Sequence, residues 1–214
     1  METQSHSQEE IIHLQPADII LVRGDSIISK IIRWGTRHLG EKRTKVNHAA
    51  MMTGFGVIAP SRANGIFIEA ARKVWLQDLS VYRLKRNDQI AIYRCKDLTP
   101  EERTQIVSAA MDHYGEKYGF IRIIAAFGDY CLLGAYFFRR MVKQNKYPIC
   151  SWIVAHAYGR VEKNLGAPIG MATPDDIWDY VEENSHTHYD CIFPLQSIRV
   201  KGKKKMKRTL EVIK

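Results

Sequence analysis

A cysteine attacks as its thiolate, and an ordinary thiol near neutral pH is mostly protonated, so a nucleophilic cysteine needs surroundings that favour the anion. Cys150, in the stretch KYPICSWIVAHAYGRV that begins at Lys146, has one such feature. Pro148 cannot continue a helix through from its N-terminal side, whereas Ile153, Val154, Ala157, Tyr158 and Val161 follow helical spacing beyond it. That pattern predicts Cys150 in the first turn of a helix. Unpaired N–H groups and the positive end of the helix dipole there favour an anion, and the same groups can hold an oxyanion. Most free cysteines are small buried core residues, so a helix start alone does not make a nucleophile. Two further residues are of the right type to assist. His48 opens HAAMMTGF, where it reads equally well as a satisfied core group; Glu69 stands in the apolar stretch GIFIEAA, where a carboxylate is costly unless paired. An imidazole oriented by that acid would be such a pair. Elsewhere, HTHYDC offers His186, His188 and Cys191 as metal donors, but no clear fourth ligand accompanies them, and a polar loop entering a strand explains them equally well.

The elements that must position these residues are legible as alternations and runs. ADIILV (17–22) has the Ile- and Val-rich character of a buried strand, and Ile27, Ile28, Ile31, Ile32 and Gly35 then keep to one helical face before Gly40. HAAMMTGF, GIFIEAA and QIAIYRC read as three strands of one sheet, antiparallel because no long helices separate them. Thr99, Pro100 and Glu102 form a capping box with proline at the first helical position, predicting a helix from there to Gly115 that buries Ile106, Val107, Ala110 and Met111. A second cap of this kind, TPDD at Thr173, opens IWDYVEEN. CIFPL and SIRV then read as edge strands.

A chain of 214 residues, 45% hydrophobic, supports one sizeable core. We expect a polar N-terminal segment over 1–15, a single domain over 16–200 and a basic tail over 201–214. Of the formal net charge of +9, the tail carries seven Lys or Arg against one Glu. Such a run is a solvated appendage or an arm for an anionic membrane surface or polyanion, and no base-reading motif points to sequence-specific nucleic acid. The polar start, METQSHSQEE, lacks a secretory signal, and the four cysteines (Cys95, Cys131, Cys150 and Cys191) show no disulfide framework, so a cytoplasmic setting, peripheral to a membrane if the tail binds one, is expected. The most apolar stretch, Phe120 to Phe138, holds Arg122 and Asp129, which favours a buried helix or helix pair broken near Gly128 over a membrane span. None of the other cysteines has a helix-start setting.

The order ADIILV, NHAAMMTG, GIFIEAA resembles the sheet of NlpC-type papain-like enzymes, with the cysteine helix YPICSWIVAHAYG following the sheet instead of preceding it. That order is similar to the circularly permuted branch of the family, the YaeF/YiiX-like amidases and peptidases, and more distantly to the lecithin retinol acyltransferase group. The resemblance spans roughly Pro16 to Tyr158. It implies an α+β, permuted papain-like fold in which a central antiparallel sheet packs against helices, the nucleophile helix among them. It also implies Cys150 as nucleophile, His48 as general base and Glu69 as orienting acid. Tyr118, in GEKYGF, resembles the tyrosine that precedes the cysteine helix in relatives; it and Ser151, beside the nucleophile, are the candidates for oxyanion or substrate-pocket contacts. Ala17 stands where the family has glycine before Asp18, and Ala49 and Ala50 replace its Val-Gly, small-for-small changes expected to spare the backbone. The implied chemistry is that of a thiol-dependent hydrolase passing through an acyl-cysteine, needing no metal or cofactor, with a peptide amide, a cell-wall peptide or a lipid acyl group as substrate. The other readings are a lipid acyltransferase of the same fold and a non-catalytic binding module for lipid or peptide.

Overall fold

The computed structural model describes residues 11–26, 29, 30, 33, 44–84, 87–117 and 149–198. The expected contributions of Tyr118, Cys131, the 120–138 segment and the basic tail lie outside these residues. So does most of the helix expected after Asp25, of which Ser29, Lys30 and Arg33 are helical.

The elements run β1 (Ile12–Leu14), β2 (Ile19–Arg23), β3 (His48–Met52), β4 (Gly56–Ala59), β5 (Arg62–Asn64), β6 (Ile66–Ala70), β7 (Val74–Asp78), α1 (Val81–Leu84), β8 (Gln89–Cys95), α2 (Pro100–Met111), α3 (Cys150–Gly159), α4 (Pro174–Glu183) and β9 (Tyr189–Gln196). This is a mixed α+β arrangement of two antiparallel sheets. The larger has strand order β7-β6-β3-β2-β8-β9, the smaller β1-β4-β5. The three strands legible from their patterning lie in the larger sheet with β2 and pair antiparallel as expected. Both capping boxes form: the Thr99 hydroxyl accepts from the Glu102 N–H, and that of Thr173 from the Asp176 N–H.

Period-two alternation along the strands divides the core into two layers. Ile19 and Leu21 of β2, Ala49 and Met51 of β3 and Ile68 of β6 face α2, α3 and α4, meeting Ile106, Ile153, Val154, Ala157, Tyr158 and Ile177. Ile20, Val22, Ala50, Met52 and Phe67 face the other way, against Leu14, Ile58 and Ala63 of the small sheet and Tyr82 of α1. β2 is buried on both faces, which explains why IILV is a continuous apolar run instead of an alternation. β1 moves the expected boundary: the fold begins before residue 16, because Leu14 is fully buried and Ile12 pairs with Ile58.

A polar node at residues 16–18 ties the layers together. Asp18 is fully buried. Its carboxylate accepts from Arg94 Nε at 2.8 Å and Nη2 at 2.7 Å, and from the Gln15 N–H at 2.8 Å. Arg103 lies 3.9 Å away and donates to the carbonyls of Pro16 and Cys95. Ala17 is held at φ 68°, a left-handed conformation that glycine adopts without the Cβ penalty. The alanine methyl there costs on the order of 1 kcal/mol, so the change from glycine does not spare the backbone. Two hydrogen bonds hold the turn: Ala17 N–H to the Met52 carbonyl at 2.9 Å, and the Tyr158 hydroxyl of α3 to the Ala17 carbonyl at 2.5 Å. The node therefore fixes where the helix that begins at Cys150 lies on the sheet. Removing one member of a buried ion network leaves the others uncompensated. Asp18→Ala should cost about 3 kcal/mol, read as a lowered urea midpoint at unchanged slope; a midpoint within experimental error of the parent would show that the network does not hold the fold.

Candidate active site

Cys150 is the first residue of α3. Ile149 precedes it in extended conformation (φ −107°, ψ 165°) and offers no side-chain cap, so the first-turn N–H groups are not satisfied by a capping side chain. The helix buries Ile153, Val154, Ala157 and Tyr158 on the sheet, as its spacing predicts. His48 is the first residue of β3, at the strand end where the start of α3 meets the sheet. Its side chain, 18% exposed, sits at the rim of the molecule's interior. Ala50 lies opposite Glu69 in the β3–β6 register. Alternation therefore puts His48, two residues before Ala50, on the same face as Glu69 and diagonal to it, within reach of a long side chain.

His48 links the other two residues. Its Nε2 lies 2.7 Å from Glu69 Oε2, and its ring also hydrogen-bonds the Cys150 sulfur. With Nε2 committed to the carboxylate, Nδ1 is the nitrogen that serves the thiol. Backbone N–H groups of Ala49 and Ser151 also donate to the sulfur. The first follows from the strand register. Met52 N–H donates across to the Asp18 carbonyl, so by alternation the Ala49 N–H points to the opposite edge of β3, where pairing with β6 begins only at Ala50. That donor is left for the sulfur.

These contacts set the charges. Burial opposes ionisation of Cys150, but the His48 imidazolium and the N–H donors outweigh it and hold the thiol below its ordinary value. Burial likewise opposes charge on His48; the Cys150 thiolate and then Glu69 outweigh it and raise the imidazole to about 10. A thiolate–imidazolium pair therefore spans the range between those two titrations. Below it the sulfur carries its proton and is inert; above it the imidazole loses its own. The other thiols among the described residues differ. Burial pushes both Cys95 and Cys191 up, and neither lies at a helix start.

The remaining candidates are placed as follows. Ser151 is fully buried with its hydroxyl turned away from the cysteine, donating to the Ala172 carbonyl at 2.7 Å. Its side chain is thus a link to the turn before α4, while its N–H is what reaches the sulfur. His188 pairs with Asp97 at 2.6 Å, and among the described residues no group of three His, Cys, Asp or Glu side chains could hold a metal ion. Two contributors were missed from sequence. Trp75 Nε1 and Gln77 Nε2, both on β7, donate to Glu69 Oε1 at 3.2 and 3.3 Å. Their signal is register alone: Trp75 lies opposite Glu69, and Gln77 opposite Phe67 on the same face.

No family model matches the chain, and no curated protein matches it. Among solved structures it is similar to that of metalloprotein yiiX from Escherichia coli O157:H7, with 16% identity, 86% of each chain covered and a TM-score of 0.49. Among the described residues no helix is long and apolar enough to cross a membrane.

The charge state of the pair is open to measurement. Peptide-resolved iodoacetamide labelling should place the acid limb of Cys150 at lower pH than those of Cys95 and Cys191, whose rates rise only as raised thiols ionise. His48→Ala leaves the buried sulfur without its cation and should slow labelling of Cys150 at neutral pH by about tenfold or more. Equal rates for Cys150 and Cys95, or no response to His48→Ala, would exclude the ion pair.

Proposed function

We propose that the chain is a thiol-dependent hydrolase of circularly permuted papain-like architecture, acting on an amide or ester carbonyl through an acyl-cysteine intermediate. The observation that carries this reading is a single imidazole, His48, hydrogen-bonded on one side to a cysteine at a helix N-terminus and on the other to a buried carboxylate. A structural cysteine needs no such partner, and a histidine serving only the core needs no thiolate.

In the resting pair, Nδ1–H faces the Cys150 sulfur and Nε2–H donates to Glu69. The thiolate attacks the carbonyl carbon, forming a C–S bond as the carbonyl π electrons move to oxygen. The oxyanion lies beside the uncapped first turn of α3, where the N–H of Cys150 itself is a donor. Collapse expels the amine or alcohol, which takes the proton from Nδ1 and leaves a thioester with neutral His48. Nδ1 then accepts a proton from water as the water oxygen attacks the thioester carbon. The second collapse releases the carboxylic acid, and the ionic pair is restored with the proton back on His48. Glu69 stays ionised throughout; its part is to hold one tautomer and to stabilise the charged ring. This cycle is confined to Cys150, His48 and Glu69 and passes through no metal or cofactor. An acyltransferase would differ only in the second nucleophile.

Incubation with p-nitrophenyl acetate tests the reading. A mass increase of one acetyl group should appear on the Cys150 peptide and decay as p-nitrophenol accumulates in excess of enzyme. Cys150→Ala should abolish both, and Glu69→Gln should lower turnover by about 10²-fold. The pH–rate profile should be bell-shaped, rising as Cys150 ionises below its ordinary value and falling near 10 as His48 loses its proton. Added amine nucleophiles would divert the acyl group if the chain is a transferase. Acetylation elsewhere with Cys150 unmodified would remove the basis of the proposal.

A further inference from the structure

Glu69 has two carboxylate oxygens and they are used differently. Oε2 meets His48 at 2.7 Å, while Oε1 accepts from the indole N–H of Trp75 at 3.2 Å and from the amide of Gln77 at 3.3 Å. Both donors come from β7, the edge strand beside β6, and both are neutral, half-buried and unable to surrender a proton.

We propose that Trp75 and Gln77 are positioning residues for the Cys150–His48 pair, acting through Glu69 as a two-donor clamp that fixes the carboxylate and keeps the shared proton on the imidazole. The inference rests on the reading of Glu69 as the orienting acid of that pair. The physical need is specific. A buried carboxylate next to an imidazolium has two ways to relieve its charge: donors, or the proton on Nε2. Transfer of that proton would leave a neutral His48 beside the thiolate, and the sulfur would lose its counter-charge. Donors on Oε1 stabilise the anion and lower the basicity of the whole carboxylate, including Oε2, so the proton stays on nitrogen. They also lock the carboxylate's rotation, which aligns Oε2 with the ring. Register makes the clamp work: Trp75 is directly opposite Glu69, and Gln77 lies diagonally beyond it on the same face, so two side chains of one strand converge on one oxygen.

The test uses the full chain and follows iodoacetamide labelling of Cys150 against pH. Trp75→Phe and Gln77→Met keep most of the volume and remove one donor each. Each should move the acid limb of the profile upward by about one pH unit, equivalent to roughly a tenfold loss of labelling rate on that limb. Gln77→Glu keeps the shape but replaces a donor with a second carboxylate, and should move the limb further than Gln77→Met does. Glu69→Gln should move it at least as far, and adding Trp75→Phe to Glu69→Gln should then change the rate by less than about twofold, because the two act on one group. Thermal unfolding of each variant checks that the fold persists. If Glu69→Gln moves the limb while Trp75→Phe, Gln77→Met and Gln77→Glu all leave it in place, the clamp is wrong and Glu69 alone orients the ring. An equal shift from Trp75→Phe with and without Glu69→Gln would assign the effect to packing and overturn the proposal. If Glu69→Gln itself has no effect, the acid's role in the proposed function fails and the clamp fails with it.

Discussion

A thiolate and a carboxylate, both nearly excluded from water, share one cation, His48. Either anion alone would be driven back to its neutral form by the low dielectric around it, and an isolated buried imidazolium would lose its proton. Together they form a chain in which the middle group carries positive charge between two negative ones, and each charge is the reason the next persists. The pair's opposite shifts, the thiol down and the imidazole up to about 10, express the same interaction seen from its two ends.

The fold exists in large part to impose that juxtaposition. His48 and Glu69 project from one face of a six-stranded sheet, while Cys150 begins a helix packed on the other. They meet because His48 is the first residue of its strand and Cys150 the first of its helix, so neither backbone has to cross the sheet. The helix is held in place at its far end by Tyr158, whose hydroxyl reaches the Ala17 carbonyl in the turn that Asp18 and two arginines secure. The helix is thus anchored through a node just before β2 that includes none of Cys150, His48 and Glu69.

How far these features were legible in the sequence follows from the range of the interaction concerned. Glu69 stood out because a carboxylate interrupts an apolar alternation, and Cys150 because Pro148 and an apolar stripe place a helix start at it. Both are local signals. The small sheet was not legible: its strands are three or four residues long, too short for an alternation to declare itself, so Ile12–Leu14 reads from sequence as part of the polar N-terminal segment. Trp75 and Gln77 escaped because VWLQD is an edge strand whose exposures follow neither period, and their role depends on cross-strand register, a property no single segment carries. The backbone at Ala17 and the rotamer of Ser151 are likewise set by partners more than twenty residues away, Tyr158 and Ala172.

The charge on His48 is the point on which everything else turns, and it can be observed directly by ¹⁵N NMR of ring-labelled histidine in the intact chain as a function of pH. Both ring nitrogens of His48 should remain protonated from neutral pH up to about 10, and Cys150→Ala, by removing the thiolate, should bring the titration down toward or below the ordinary histidine value of about 6.5. A His48 resonance that titrates near 6.5 in the unaltered protein, and does not respond to Cys150→Ala, would contradict this.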